Sequence, residues 1–542
     1  MLKEQSAVNK LLASEQANFL ERIDILRLNI AANHAKEKKA NLGQFFTSAS
    51  IARFMASILD IQSPTVHILD AGAGIGSLFA ACIAEICARE NRPEQIGVTA
   101  YEIDAELIGY LQDTLGYCQV ACENVGIRFT GEVIQRDFIE GGVEWLRDTL
   151  FSTQEIRPKF NCAILNPPYK KIQTQSRERK LLQRVGIESS NLYAGFIALA
   201  MQLLEQSGEL VAITPRSFCN GPYFKAFREH FLQTMSLRRL HIFDSRKRAF
   251  SDDDVLQENI IFHAIKDGKK PENVIISSST EPSDSSILMH KVAYSQVVHP
   301  HDPQSFIRII QDQASENVVQ HMTSFSTSLS DLGITVSTGK VVDFRALEFL
   351  QSEHKANTIP LIFPTHIYYG SVVWPKPEGR KPNALLNVEQ TKSLQVPNDY
   401  YVLVKRFTSK EEKRRIIAAV YDPVNMPCSH VGFENHLNYF HRNGRGLNPT
   451  LARGLAVYLN STLLDDFFRQ FNGHTQVNAT DLRNIKYPTL DQLERLGQRI
   501  PAQFPEQRKI DEIVREELFR NASNPHGCQA KWWDYRRGMD LY

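Results

Sequence analysis

The chain has 542 residues, 42% of them hydrophobic, so it can bury more than one core, and we expect two domains with appendages. Its 62 basic and 61 acidic residues nearly cancel, so net charge does not point to a nucleic acid or a membrane, and any basic face must be local. The 8 cysteines include no CxxC pair, which argues against a disulfide framework and a zinc site. The N-terminus does not resemble a signal peptide and no long apolar run follows, so we expect a soluble, cytoplasmic protein without a membrane partner.

Helical spacing over residues 1–40 predicts an N-terminal helical segment. From residue 41 to 270, helical patterns alternate with short apolar runs that end in polar residues, namely 66–70, 96–104, 127–137 and 161–169. This alternation predicts βαβ units, and therefore an α/β domain with a mostly parallel sheet. In such sheets ligands bind at the carboxyl ends of the strands, where these polar residues fall.

The composition and the hydrophobic pattern of the sequence change after residue 270. Residues 271–325 include a Ser-rich stretch, which predicts a linker. Residues 326–500 contain short β-like runs broken by Pro and Gly, which predict a second domain of α+β character. Residues 501–542 are rich in charge and predict a helix followed by a tail.

Three glycines separate the first predicted strand from the next helix, in the sequence LDAGAGIG: Gly72, Gly74 and Gly76. Glycines at such a turn let the backbone approach a ligand closely and leave the N–H groups of the helix available to it. Glu102 closes the second strand, where a carboxylate can accept both hydroxyls of a ribose, and Asp137 closes the third, within reach of an adenine amino group. A tight turn and solvated strand ends would explain each feature alone, but their order favours a nucleoside-containing cofactor.

The fourth predicted strand ends in Asn166, Pro167, Pro168 and Tyr169. Since proline lacks an N–H and fixes its own φ, the turn is rigid, and the Asn166 amide oxygen and the Pro167 carbonyl become two adjacent acceptors that match an exocyclic NH₂ group. Binding both hydrogens favours a pyramidal nitrogen whose lone pair is aimed at an electrophilic methyl group, while Tyr169 would stack on the base. A Pro-rich loop that only caps a strand is the alternative.

Six segments, in this order, resemble the motifs of gamma-order, adenine-specific (N6) DNA methyltransferases of type II restriction-modification systems: NLGQFFTSASIARFM, LDAGAGIG, YEID, RDF, NPPY and VLQENIIF. The resemblance covers most of the chain. It implies that S-adenosyl-L-methionine is the methyl donor. It also implies a Rossmann-like class I S-adenosylmethionine-dependent methyltransferase domain, with helices on both faces of a mostly parallel sheet, followed by a C-terminal α+β target recognition domain that binds double-stranded DNA.

The resemblance also assigns roles to individual residues. Those implied to bind the cofactor are Gln44, Phe45, Thr47, Asp70, Gly72, Gly74, Gly76, Glu102, Ile103, Asp137, Phe138 and Asn166. Those implied to act in catalysis are Asn166, Pro167, Pro168, Tyr169 and Phe250, the last by stacking on the free face of the extruded base. A core phenylalanine fits position 250 equally well, and the chain has Ser48 where the family carries proline.

The segment that follows the catalytic loop, 169–184, is strongly basic. An adenine inside a duplex is paired, so the enzyme must flip the nucleotide out, and contacts with the DNA backbone must offset that cost. We therefore predict DNA contacts from this segment and from the family-like sequence ESSNLYAGFI, namely Lys170, Lys171, Arg177, Arg179, Lys180, Asn191 and Tyr193. A solvated helix face is the alternative for the charge run.

The leading hypothesis is a site-specific adenine-N6 DNA methyltransferase that protects host DNA beside a cognate restriction endonuclease, with no stable complex between the two. Protein glutamine-N5 methyltransferases and some RNA methyltransferases also use NPPY, so they stay open as alternatives, as do a bifunctional nuclease and an inactive binding protein. Cytosine N4 is a further rival target, but that class usually has serine where this chain has Asn166. We expect no metal site. We also expect a monomer, because one catalytic centre suffices for a non-palindromic or hemimethylated site.

Overall fold

The computed structural model describes residues 19–30, 46–151, 159–243, 258–281, 287–408, 412–426, 428–472, 475–501 and 503–519. The chain divides into two compact units, Met1–Gln311 and Asp312–Tyr542. Of the predicted N-terminal helical segment, residues 19–30 are helical. Within these described ranges, no helix is long and apolar enough to cross a membrane.

A nine-stranded sheet runs through the described part of the first unit, in the order β3-β2-β1-β4-β5-β7-β6-β8-β9. Its strands are β1 (Thr65–Ala71), β2 (Gln95–Glu102), β3 (Arg128–Gln135), β4 (Phe160–Leu165), β5 (Leu204–Pro215), β6 (Ser236–Phe243), β7 (Asn259–Ile265), β8 (Asn273–Ser279) and β9 (Leu288–Ala293). The neighbours from β3 to β5 are parallel, as are β6 and β8, whereas β7 is antiparallel to both its neighbours and β9 to β8. The predicted α/β fold with a mostly parallel sheet is confirmed.

The helices of this unit are α1 (Ala49–Ser57), α2 (Ser77–Ala88), α3 (Ile108–Glu123), α4 (Phe138–Phe151), α5 (Arg177–Gln183), α6 (Leu192–Leu203), α7 (Lys225–Thr234) and α8 (Tyr294–Val297). β1 and β4 are buried along almost their whole length, as central parallel strands must be when helices cover the sheet. α2 is apolar on nearly all sides because it lies inside the same hydrophobic cluster as α1 and β1.

The predicted linker over residues 271–325 is wrong for its first half, because β8 and β9 add two strands to the sheet there and the first unit extends to residue 311. Serine suits a buried strand here because its hydroxyls find partners. Ser277 Oγ accepts from Arg239 Nε at 3.0 Å and lies 3.0 Å from His241 Nδ1. Ser279 Oγ donates to the Glu281 carbonyl at 2.9 Å. Serine content alone therefore predicts a linker here, whereas the structure has a strand in which the serine hydroxyls form hydrogen bonds.

The described part of the second unit holds a six-stranded sheet, β10-β20-β17-β18-β14-β13, and a five-stranded sheet, β11-β15-β12-β19-β16. The strands are β10 (Thr335–Thr338), β11 (Leu350–Gln351), β12 (Thr358–Ile362), β13 (Ile367–Tyr368), β14 (Ser371–Val372), β15 (Ala384–Leu386), β16 (Gln395–Pro397), β17 (Tyr401–Lys405), β18 (Ala418–Tyr421), β19 (His430–Phe433) and β20 (Leu437–His441). The helices are α9 (Gln313–Thr323), α10 (Pro449–Leu459), α11 (Thr462–Phe471), α12 (Ala479–Asn484), α13 (Leu490–Gln498) and α14 (Gln507–Phe519). The predicted C-terminal α+β character is confirmed.

Glycines bring α10 and α13 unusually close together. A Cβ on Gly454 would lie 1.8 Å from the Leu493 carbonyl oxygen, and one on Gly497 would lie 1.8 Å from the Thr450 carbonyl oxygen. No larger residue fits either position without moving a helix.

Candidate active site

Four polar strand ends meet at one edge of the nine-stranded sheet. β3, β2, β1 and β4 are consecutive and parallel, so their carboxyl ends lie side by side. This places the glycine turn after β1 next to Glu102 at the end of β2 and Asn166 just after β4, with Asp137 beyond β3. The sheet therefore brings together residues that are far apart in the sequence, as the strand pattern predicts.

The turn between β1 and α2 needs glycine for two different reasons. Gly72, Gly74 and Gly76 have φ values of 81°, 58° and 88°, a left-handed conformation that side chains disfavour. In addition, a Cβ on Gly76 would lie 2.5 Å from the Phe79 ring, and one on Gly74 would lie 3.5 Å from the Phe46 ring. Phe46 was not among the predicted contacts, although it belongs to the QFFT segment whose neighbouring residues were.

The carboxylate of Glu102 is buried and fixed by the backbone. Gly74 N donates to its Oε2 and Asp104 N to its Oε1, both at 2.8 Å. Burial raises its pKa above the usual range. Asp137 is held in a similar way, since Glu140 N donates to its Oδ1 at 3.0 Å and burial raises its pKa. Both carboxylates are thus preorganised acceptors at the edge where a nucleoside is predicted to bind.

Asp70 lies at the end of β1 and is fully buried. Its Oδ2 accepts from Phe79 N at 3.4 Å, but its Oδ1 has no hydrogen-bond partner among the residues that the structure describes. Burial raises the pKa of this carboxyl to about 8. Because buried polar atoms are normally hydrogen-bonded, this orphaned oxygen beside the glycine turn suits a ligand that carries N–H or O–H donors.

The catalytic loop is tied to the segment that precedes α1. Asn166 Nδ2 donates to Thr47 Oγ1 at 3.0 Å, which turns the amide oxygen away from Thr47. The Tyr169 hydroxyl lies 3.1 Å from that oxygen, Asn166 Oδ1, and 3.3 Å from the Ile213 carbonyl oxygen. Thr47, predicted as a cofactor contact, therefore also orients the predicted catalytic amide. Burial raises the pKa of Tyr169, so its phenol stays protonated and acts as a donor.

Tyr193, predicted to contact DNA, is only 1% exposed and cannot do so without a rearrangement of the core. Its hydroxyl lies 2.9 Å from Ser217 Oγ. Its ring meets the Tyr169 ring edge-on, with centroids 6.1 Å apart, and stacks on Phe224 at 5.3 Å. The prediction, which rests on the family-like sequence of this segment, was wrong because a motif does not show whether a side chain is buried. Tyr193 instead supports Tyr169 from behind.

Behind this aromatic group, the loop around Ser217 is held by a buried arginine in α7. Arg228 Nη1 donates to the carbonyls of Phe218 at 2.9 Å and Gly221 at 2.8 Å, and its Nη2 donates to the carbonyl of Gln304 at 2.8 Å. Burial lowers its pKa to about 10. This role is not recognisable in the sequence, since an arginine within KAFREHFLQT looks like part of a solvated helix face.

The basic segment after the predicted catalytic loop combines exposed lysines with arginines that lie beside acids. Lys170, Lys171 and Lys180 are exposed. By contrast, Arg177 forms an ion pair with Glu140, and Arg179 Nη2 lies 3.5 Å from Glu188 Oε2. Asn191, which bridges to Lys171 through the backbone, has a buried Oδ1 without a partner among the described residues. The lysines are therefore better placed for phosphates than the two arginines.

The remaining predicted site residues are divided between surface and core. Ile103 is exposed beside Glu102. Phe138 is buried between the rings of Tyr101 and Phe196, which gives its side chain a role in the core. The other three, Gln44, Phe45 and Phe250, lie outside the described residues. No cluster of three or more potential metal ligands occurs within the ranges that the structure covers.

Comparison with known proteins gives a consistent result. Residues 123–250 match the family model of the Eco57I restriction-modification methylase. The chain is 47% identical over 490 residues to the type II methyltransferase M.PstI of Providencia stuartii, covering 90% of this chain and 95% of that protein. It is 43% identical over 512 residues to M.BsuBI of Bacillus subtilis, covering 93% and 99%. The structure of the type IIL restriction-modification enzyme MmeI in complex with DNA is also similar, with a TM-score of 0.51 and 12% sequence identity. The match covers 97% of this chain and 78% of the MmeI chain, and at this identity it supports the fold alone.

Proposed function

The chain belongs to the type II methyltransferases of restriction-modification systems, which methylate DNA at specific sites with S-adenosyl-L-methionine, and we propose that its target is N6 of an adenine flipped out of double-stranded DNA. The observation that carries this proposal is the orientation of Asn166. Its Nδ2 donates to Thr47 Oγ1, so its Oδ1, which lies 3.1 Å from the Tyr169 hydroxyl, is the acceptor that an incoming amine takes over from that hydroxyl. A serine at this position, as in cytosine-N4 enzymes, would have no such fixed acceptor.

The residues at the sheet edge fit the cofactor. The three glycines of the turn have positive φ, and Gly76 has no room for a Cβ. Glu102 and Asp137 are fixed carboxylates at the ends of successive strands, and Asp70 has a buried acceptor without a partner among the described residues. We assign Glu102 to the ribose hydroxyls, Asp137 to the adenine amino group and Asp70 to a donor on the amino-acid part. When bound there, the cofactor supplies an electrophilic methyl group.

The chain's own residues act on the target amine by positioning it. Asn166 Oδ1 and the Pro167 carbonyl accept its two hydrogens, which directs the nitrogen lone pair toward the methyl group. Neither Asn166 nor Tyr169 serves as a base, because an amide does not take up a proton at neutral pH and burial raises the pKa of the Tyr169 phenol. The proton therefore leaves to water after the methyl group has been transferred.

Other parts of the chain contribute to DNA binding in this proposal. Lys170, Lys171 and Lys180 are exposed next to the catalytic loop and bind phosphates. The second unit acts as the target recognition domain. We further propose that the enzyme works as a cytoplasmic monomer, that Phe250 stacks on the flipped base, and that methylation protects host DNA from a cognate restriction endonuclease.

The experiment that tests this function is modified-base sequencing of DNA from cells that express the protein. We expect N6-methyladenine within one short sequence motif, and we expect it to disappear in Asn166→Ala. Asn124→Ala is the matched control, because Asn124 is an exposed asparagine at the end of α3 and away from the sheet edge. N4-methylcytosine in place of N6-methyladenine would refute the adenine assignment. No modified base, from a protein that binds S-adenosylmethionine, would turn attention to a glutamine or RNA acceptor.

A further inference from the structure

A tight hairpin lies at the edge of the six-stranded sheet in the second unit. β13 and β14 pair with Ile367 opposite Val372 and Tyr368 opposite Ser371, which leaves Tyr369 and Gly370 as the two loop residues. Both have positive φ, 42° for Tyr369 and 72° for Gly370, as in a type I′ turn. Asn-Gly is the favoured pair at these two positions, so tyrosine occupies a place where it is conformationally strained.

The two tyrosines of this hairpin are presented to solvent. Tyr368 is 58% exposed and Tyr369 is 76% exposed, and their rings meet edge-to-face with centroids 4.5 Å apart. Val373, on the same hairpin, is also exposed. Neighbouring aromatic rings of this size are normally buried, and where they are exposed together they indicate an interaction surface.

The hairpin is held rigidly from below. A Cβ on Gly370 would lie 2.0 Å from the Phe504 ring, and the Gly370 carbonyl accepts from Val420 N at 2.9 Å. At its base, His366 Nδ1 accepts from Phe363 N at 2.9 Å, so the ring proton is on Nε2, which donates to Asn383 Oδ1 at 3.1 Å. A buried hydrogen-bond network thus fixes the backbone from which the tyrosines project, so little backbone entropy remains to be lost on binding.

The residues that follow the hairpin are basic. Lys376, Arg380 and Lys381 lie within a short stretch that contains a single acid, Glu378. Lys381 Nζ lies 3.1 Å from Asp343 Oδ2, while Arg380 is exposed. Exposed aromatic rings and an exposed arginine therefore lie close together in the sequence of this unit, a combination that complements nucleic acid better than it complements an apolar protein surface.

We propose that the Tyr368–Tyr369 tip enters a groove of the substrate duplex, with its rings packed against base edges and Arg380 close to a phosphate. This inference rests on the proposed function, because it takes double-stranded DNA as the partner. The DNA major groove admits a two-stranded β-ribbon, and it presents base edges and the thymine methyl group to apolar side chains. The strain at Tyr369 is then a structural cost retained for DNA binding.

The test compares two variants whose effects on stability and DNA binding should differ. Tyr369→Asn installs the favoured Asn-Gly pair, so we expect a higher melting temperature together with weaker DNA binding. Tyr368→Ala/Tyr369→Ala removes both rings, and we expect its Kd for a labelled duplex, measured by fluorescence anisotropy, to rise about tenfold or more. The duplex carries the site that is methylated in cells, or a mixed sequence if none is found.

The matched control is Val424→Ala, which also truncates an exposed apolar side chain of the second unit and should leave the Kd for DNA unchanged. Binding of S-adenosylmethionine should be the same in all these proteins, which shows that the first unit is intact. Arg380→Gln should reduce the slope of log K against log salt by about one.

The inference is overturned if Tyr369→Asn is stabilised and still binds the duplex as tightly as the wild type, or if the double variant does so. Binding is measured without turnover, so this failure is distinct from a failure of the proposed function. A wild-type protein that binds duplex through these tyrosines but forms no N6-methyladenine would refute the function and leave the inference intact.

Discussion

The sheet edge of the first unit and the hairpin of the second unit present functional side chains in opposite ways. At the sheet edge, Asp70 and Glu102 are buried, and backbone N–H groups already bind both carboxylates. On the hairpin, Tyr368 and Tyr369 project into solvent, and only the backbone beneath them is fixed. Methyl transfer, whose chemistry does not depend on the DNA sequence around the target, calls for the first arrangement. Recognition of one DNA sequence among many calls for the second, since exposed side chains change without disturbing the fold.

The largest expected effect is on the reaction itself and tests whether the sheet edge is the catalytic part. We expect Asn166→Ala to lower the single-turnover rate of DNA methylation by about 10²–10³-fold, because one of the two acceptors for the amine is lost. The exposed-asparagine control, Asn124→Ala, should keep the wild-type rate, and an equal loss in both variants would contradict the assignment.

The second prediction concerns the glycine turn, where conformation and space can be separated. Gly76→Ala should lower the free energy of unfolding by about 2–4 kcal/mol, because it adds both a strained φ and a clash with the Phe79 ring. Gly126 has a similar φ of 79° but open space around it, so Gly126→Ala should cost only the strain, about 1–2 kcal/mol. Equal losses in urea denaturation would show that the packing at Gly76 is irrelevant.

The third prediction is a pH dependence due to Asp70. Burial raises its pKa from 3.8 to about 8, so the folded state favours the neutral acid, and its contribution to stability is greatest at low pH and is lost as the pH rises toward 8. In Asp70→Asn this titration is absent. From pH 6 to pH 8 the wild type should therefore lose up to about 2.7 kcal/mol of unfolding free energy relative to the variant. Parallel curves from chemical denaturation would show that Asp70 is already ionised.

The smallest expected effect tests whether Tyr193 supports the site from within the core or contacts DNA. Tyr193→Phe removes the hydroxyl that meets Ser217 and should lower the free energy of unfolding by about 1 kcal/mol. Its Kd for DNA and the salt dependence of that Kd should not change. In contrast, Lys171→Gln should reduce the salt slope by about one while leaving stability unaltered. A weaker DNA affinity in Tyr193→Phe would restore Tyr193 to the DNA interface.

The sequence predicted the sheet edge well because that region depends on residues with restricted chemistry. Glycines with positive φ, acids that close buried strands, and prolines after Asn166 are each recognisable in the chain without a structure. The supporting residues were not predictable in this way. Arg228 and Tyr193 look like ordinary surface residues in the sequence, and only tertiary packing shows that they are buried.

The second unit was harder to interpret for a related reason. Its hairpin breaks the usual turn chemistry, since Tyr369 stands where Asn or Gly is expected, so no local turn signal marks it. The serine-rich stretch before it resembles a linker in composition, because composition does not show that Ser277 and Ser279 have hydrogen-bond partners inside a sheet. Residue roles that depend on contacts between distant parts of the sequence are not predictable from the sequence alone. Residue roles that depend on local backbone conformation are predictable in this way.

The hydrogen bond between the Tyr169 hydroxyl and Asn166 has a consequence for the fidelity of the enzyme. Because the Tyr169 hydroxyl belongs to the same chain, its effective concentration at Asn166 Oδ1 is very high. Any amine that reaches the site must therefore displace this hydroxyl from the amide oxygen. Water, free nucleosides and small amines bring little binding energy from elsewhere and should compete poorly. A nucleotide that belongs to a bound duplex is delivered with the affinity of the whole DNA contact. The resting enzyme is thereby protected from spending its methyl donor on solutes that happen to diffuse into the cleft.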